Sequence, residues 1–200
     1  MLRVASLRAI VLVGIACLTG CASYKVVNGA RTYFDSNTGS TWSVVDEPLI
    51  FARSRTDVAA YARDYVTLVA IQVDVSAQDH DYLMLYRWST VDPRFSPPPG
   101  PDQGELEILA DGREIRLQPL AQLPVRPDER RGLHEPAHAQ MRTYAYAVDP
   151  SLLRFVAGSR DLTVRMPQES VQLPFTLWGD GRRALARFAD TLDGRTQAAP

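Results

Sequence analysis

The chain has 200 residues, 46% of them apolar, with 22 Lys and Arg against 23 Asp and Glu and two cysteines. That length and apolar share suffice for one or two domains with a real core, and they exclude disorder, a collagen-like repeat and a disulfide-rich scaffold. The near-neutral balance excludes the basic face of a general nucleic-acid binder, and the single lysine, Lys25, leaves no lysine-dependent chemistry elsewhere.

Residues 1–20 read as an address. Arg3 and Arg8 make a positive start, and Ala9 to Leu18 make a short apolar run. Ten residues cover ~15 Å as a helix, about half a bilayer core, too short for a stable span. The run closes on Leu18-Thr19-Gly20-Cys21. This resembles the lipobox of bacterial lipoproteins, in which a small residue precedes a cysteine that becomes acylated. The resemblance implies that Cys21 is the mature N-terminus and carries acyl chains on its sulfur and amine, since several chains anchor firmly where one does not. In enterobacterial lipoproteins an Asp directly after the cysteine favours the inner membrane. Ala22 stands there, so the resemblance implies the periplasmic face of the outer membrane. Loss of the signal removes Cys17 and two arginines, leaving 20 basic against 23 acidic residues. It also leaves no second cysteine for a disulfide, in a compartment that permits one.

Residues 21–40 are expected to be the lipidated cysteine and a tether, with a short strand near Tyr24–Val27. Nineteen extended residues reach at most ~60–70 Å, enough to hold a domain clear of the headgroups. Next comes a single β-rich domain over residues 41–194, then a polar tail, 195–200. Strands are expected at Pro48–Arg53 and Tyr65–Val75. In the second, Tyr65, Val69, Ile71, Val73 and Val75 share one face, and the other face ends polar at Gln72 and Asp74. Val58–Ala62 fits either a helical turn or a strand. Ser76 to His80 is a turn, and Asp81–Thr90 returns as the second strand of a long hairpin.

Asp111-Gly112 predicts a type I′ hairpin, because both central residues need positive φ. That register pairs Leu106 with Leu117, Glu107 with Arg116, Ile108 with Ile115 and Ala110 with Arg113, so one face is aliphatic and the other joins opposite charges. Further strands are expected at Arg142–Val148, Asp161–Met166 and Val171–Leu177. Asp149 caps a short helix, Ser151–Ala157, with Pro150 in its first turn and Gly158 at its end. Asp180 caps the last helix, Gly181–Leu192, whose stripe is Leu185, Phe188 and Leu192, with Gly194 as its stop and Arg182, Arg183 and Arg187 in solvent. Residues 92–103 and 121–140 are long loops, the best expectation for a partner surface. Seven or eight hairpin-linked strands and a C-terminal helix predict an antiparallel β-sandwich or partly open barrel. Arg63-Asp64-Tyr65 with Arg87-Trp88-Ser89-Thr90-Val91-Asp92 resembles a group of uncharacterised bacterial lipoproteins, and that resemblance supplies no activity.

Several strings look like chemistry. His134-Glu135-Pro136-Ala137-His138 resembles the His-Glu-x-x-His of zinc metalloproteases, where a helix sets both histidines on one face and Glu is the general base. Pro136 falls inside that helix and removes a backbone donor. Glu169 is a distant candidate for a third ligand. Gly179-Asp180-Gly181-Arg182-Arg183-Ala184 fits a dinucleotide-binding string, but only sixteen residues remain after it, too few for the second strand of the unit. Asp79-His80-Asp81 offers ligand types in a turn, where neighbouring side chains rarely converge. Trp42, Trp88 and Trp178 fit core packing or a ligand pocket. The sequence therefore predicts a non-enzymatic, lipid-anchored envelope protein without cofactor or metal. Its expected partners are the membrane, through Cys21, and an envelope protein. The alternatives are a small zinc hydrolase using His134, Glu135 and His138, and a carrier of an apolar ligand.

Overall fold

In a computed structural model of the chain, the described residues are 26–27, 29–35, 38–92, 94, 104–124, 133–138, 141–167 and 173–196. Among them, eleven strands form one open, wholly antiparallel sheet with two helices: β1 Val26–Val27, β2 Ala30–Asp35, β3 Ser40–Val45, β4 Leu49–Ser54, β5 Arg63–Val75, β6 Gln78–Ser89, β7 Leu106–Ala110, β8 Arg113–Leu117, β9 Arg142–Ala147, α1 Pro150–Gly158, β10 Leu162–Arg165, β11 Phe175–Gly179 and α2 Arg182–Thr196. The expected mainly antiparallel β class with a C-terminal helix is what the chain forms. β1 falls on the short strand expected near Tyr24–Val27, and the strands not expected are β2 and β3.

The long β5–β6 hairpin is the axis of the sheet, paired without a break from Asp64↔Ser89 to Val75↔Gln78. β9 pairs with the outer edge of β6. On the other edge of β5, β3 and β4 lie end to end: Val44 faces Ile71 and Leu49 faces Leu68. Five steps along one strand thus match three along the other, and residues 46–48 take up the surplus as a bulge would. The sheet divides there. β2 and β1 extend from β3, while β11, β10, β7 and β8 extend from β4. Among the described residues no ladder joins β8 to β9, but just beyond β8 the Leu120 N–H donates to the Ala145 carbonyl at 2.8 Å, which brings the free end of that wing to β9 on the opposite edge of the central hairpin.

Both faces of the central hairpin are buried. Val66, Leu68 and Leu85 fill one face and Val69, Ile71, Met84 and Tyr86 the other, within a single hydrophobic cluster. From the loop expected at 121–140, Leu123 and Leu133 join that cluster, Leu133 fully buried. This part of the loop is therefore core cover. Gln72, expected to meet water, is buried, and its side-chain amide donates to Asp81 Oδ1 at 3.2 Å.

The Asp111-Gly112 hairpin has the expected register at every pair, with φ of 48° and 80° at the two turn residues. Its charges regroup: Glu107 is bonded by Arg165 of β10 at 3.3 Å, and Arg116 bonds Glu114 at 2.6 Å. α1 begins as expected, with the Asp149 carboxylate accepting the Leu152 N–H at 2.9 Å and Pro150 in the first turn. Residues 55–62 resolve as a helical turn, in which the Ala59 N–H donates to the Arg55 carbonyl.

Five local expectations need correction. Residues 30–35 are not tether: they form β2, because Gly29 at φ 80° turns the chain after β1 so that β2 can pair with β3 along its whole length. The turn between β5 and β6 is only Ser76-Ala77, and residues 78–80 extend the ladder. β11 starts at Phe175, because Pro174 has no N–H to give a ladder. Gly194 does not stop α2, which runs to Thr196. Arg182 is not simply solvated, since it bonds the Ser159 carbonyl at 2.6 Å and the Arg160 carbonyl at 3.0 Å.

Candidate functional site

The two segments Arg63-Asp64-Tyr65 and Arg87–Asp92 meet across the β5–β6 hairpin: Asp64 faces Ser89, Tyr65 faces Trp88 and Val66 faces Arg87. Strand alternation sends these residues to opposite faces and builds two adjoining clusters.

On one face Asp64 is buried beside Arg53 of β4, which pairs with it in register. Arg53 Nη2 donates to Asp64 Oδ2 at 2.9 Å, Arg55 Nη1 reaches the same oxygen at 3.4 Å, and Ser89 Oγ donates to Oδ1 at 2.7 Å. Arg53 also donates to the Leu173 carbonyl at 3.3 Å, and its guanidinium lies 4.2 Å from the Phe175 ring centre. Burial works against the Asp64 charge, but the Ser89 and Arg53 hydrogen bonds and the charges of Arg53 and Arg55 outweigh it, so the carboxyl lies below its ordinary range. A carboxylate so held is a weak base with its lone pairs engaged. The cluster ties β4, β5, β6 and the approach to β11 together.

On the other face Tyr65 stacks on Trp88 with centroids 4.1 Å apart and planes 9° apart, and His138 tilts against Trp88 at 5.9 Å. Trp88 Nε1 donates to Thr67 Oγ1 at 3.3 Å. Further along, Arg63 covers the Trp178 ring at 4.7 Å. Trp178 sits where the β11–β4 register shifts and is 60% exposed. Of the three tryptophans, Trp42 is core, its indole N–H donating to Ser40 Oγ at 2.7 Å. Trp88 is half-buried and Trp178 is exposed.

The helix that His134-Glu135-Pro136-Ala137-His138 needs is not formed. Residues 135–138 are irregular, and His134 sits at φ 53°. The His134 ring meets the Val45 carbonyl through Nε2 at 2.9 Å. A carbonyl only accepts, so that nitrogen carries the proton and is not a metal ligand. Burial pushes the His134 pKa down, against the pull of the Val45 hydrogen bond. His138 turns instead to Trp88, so the two rings end on different strands. The Gly179–Ala184 string is explained by packing. A Cβ at Gly181 would lie 2.5 Å from the Glu47 and Pro48 carbonyl oxygens, and one at Gly179 would press on Ile50. The Gly181 carbonyl accepts the first helical bond, from Leu185, while Asp180 Oδ1 accepts the Arg182 N–H at 3.1 Å, so Asp180 stands one residue before the cap.

Asp79-His80-Asp81 lies in β6, where alternation separates His80 from the two carboxylates. His80 leans toward Tyr82, and Asp79 faces Asp74. Burial first, with repulsion from Asp79 and Asp149 added, raises the Asp81 pKa, although the Gln72 hydrogen bond opposes this. Among the described residues no group of three or more His, Cys, Asp or Glu side chains could hold a metal ion. Cys21, Glu169 and most of the loop at 92–103 lie outside the described residues. Sequence reasoning missed the Arg53–Asp64–Ser89 cluster. Asp64 and Ser89 lie in the two segments that carried the resemblance, but nothing in the sequence paired them or brought in Arg53. In comparisons with known proteins, no family model, curated protein or solved structure matches the chain.

Proposed function

We propose that the chain is a lipoprotein of the cell envelope, anchored through Cys21 at the periplasmic face of the outer membrane, whose β domain works by binding an envelope partner and performs no catalysis. The observation that carries the reading is the run Leu18-Thr19-Gly20-Cys21 behind Arg3, Arg8 and ten mostly apolar residues. A binding role is supported by the state of the reactive groups: Asp64 is saturated by Arg53, Arg55 and Ser89, and His134 is turned onto a backbone carbonyl. Among the described residues, the surface that supports partner binding is the Trp178–Arg63 end of the aromatic row and the exposed Tyr61.

The test is photo-crosslinking in cells from positions 61 and 178. The reading predicts one discrete adduct with an envelope protein. It fails if neither position gives an adduct while the untagged protein purifies with stoichiometric zinc and loses a hydrolytic activity in His138→Ala.

A further inference from the structure

Val26, the first residue of β1, stands five positions after Cys21. Fully extended, those five steps reach about 18 Å. Because β1 is antiparallel to β2, with Val26 facing Arg31 and Val27 facing Ala30, its N-terminal end points along β2 toward Asp35. That end of the sheet carries two turns, at residues 38–39 and at Ser76-Ala77. The cross-strand row Phe34–Thr41–Asp74–Asp79 sets them side by side.

Phe34 is 70% exposed there and Val75 is 43% exposed. Neither Lys nor Arg occurs in residues 32–43 or 70–82. An anchor within about 18 Å of β1 keeps the neighbourhood of β1 close to the lipid, and the direction of β1 leads the chain to it past this end. We infer that the β2–β3 end of the sheet lies on the membrane that holds the Cys21 acyl chains, with Phe34 seated among the headgroups. The inference rests on the lipid-anchor reading. One aromatic side chain suffices, because the anchor has already removed most of the entropic cost of bringing the domain to the surface. Asp79 is exposed at the same end, with Asp35 and Asp74 half-buried beside it, and the cost of taking these carboxylates into hydrocarbon limits Phe34 to the interface.

The experiment uses the full lipidated chain in vesicles of phosphatidylethanolamine and phosphatidylglycerol. Phe34→Cys, Tyr61→Cys and Trp178→Cys are made separately and labelled with a nitroxide, the Cys21 thiol being blocked by its acyl chain. Tyr61 lies at the opposite end of the 13-residue β5, about 40 Å away. The readout is accessibility to oxygen relative to a water-soluble nickel chelate. Position 34 is expected to shift to membrane-like values, with 61 and 178 aqueous. If position 34 reads as aqueous as position 61 on protein that co-floats with the vesicles, the inference is overturned and the anchor stands. If the protein does not co-float, the anchor reading and the inference fall together.

Discussion

Asp64 is a buried charge whose stability depends on its partners. Its carboxyl is more acidic in the folded chain than in the unfolded one. The stability it contributes is therefore present above the ordinary carboxylate pKa of about 3.9 and is lost as pH falls through its lowered value. Asp64→Ala leaves Arg53, whose side chain is only 5% exposed, without its carboxylate, and should cost about 3–5 kcal/mol in chemical denaturation at pH 7. Replacing both partners, as Arg53→Met with Asp64→Leu, should recover most of that loss, because the penalty is the orphaned charge. A double variant no more stable than Asp64→Ala would contradict this account. Asp81 has the opposite sign. Its raised pKa means that the folded chain holds the proton more tightly, so stability declines as pH rises from about 3.9 through the raised value. Asp81→Asn should raise the melting temperature at pH 7 and leave it unchanged at pH 3. Neither feature was legible in the sequence. Residues 53 and 64 meet only through the β4–β5 register, and Asp81 is perturbed first by its burial in the folded chain, with Asp149, 68 positions away, a lesser contributor.

At the scale of elements, local chemistry was legible where one signal was strong and self-consistent. Asp111-Gly112 satisfies a type I′ turn, and the flanking residues alternate in the matching register, so turn and ladder point to one hairpin. Asp149-Pro150 did the same for α1. The turn between β5 and β6 carried no such signal: Ser76 and Ala77 both sit at positive φ, 54° and 62°, without glycine or asparagine. The ladder on either side imposes that conformation at a cost. Ala77→Gly should therefore stabilise the protein by about 0.5–1 kcal/mol, since the relief of left-handed strain exceeds the added chain entropy. Loss of stability in that variant would mean that the turn is not strained. β2 and β3 were illegible for another reason. Ser40 and Ser43 are buried and use their hydroxyls within the sheet, with Trp42 and Thr32 as partners, so the expected apolar alternation is broken. The His134–His138 spacing was legible and misleading, because Pro136 and the positive φ of His134 exclude the helix that gives the spacing its meaning.

For the whole molecule, the largest change concerns where the folded domain begins. A tether of about twenty residues would let the domain stand tens of ångströms from its anchor. With β1 starting at Val26, only Ala22 to Lys25 remain between Cys21 and the sheet, so the lipid anchor we propose would commit one end of that sheet to the neighbourhood of the lipid. The open sheet, divided at residues 46–48, carries its exposed aromatics at two ends: Phe34 at the β2–β3 end, and Tyr61 and Trp178 at the Arg63 end of β5. A protein held at one end and reading partners at the other fits this layout. All of it depends on Cys21 bearing lipid. The most direct measurement is fractionation of cells expressing the wild-type chain beside Cys21→Ser, with the intact mass of each product. The account predicts that the wild type sediments with membranes and carries acyl mass on an N-terminus at Cys21, while Cys21→Ser is released in soluble form without it. A Cys21→Ser variant that stays in the membrane fraction at the wild-type level would contradict the account.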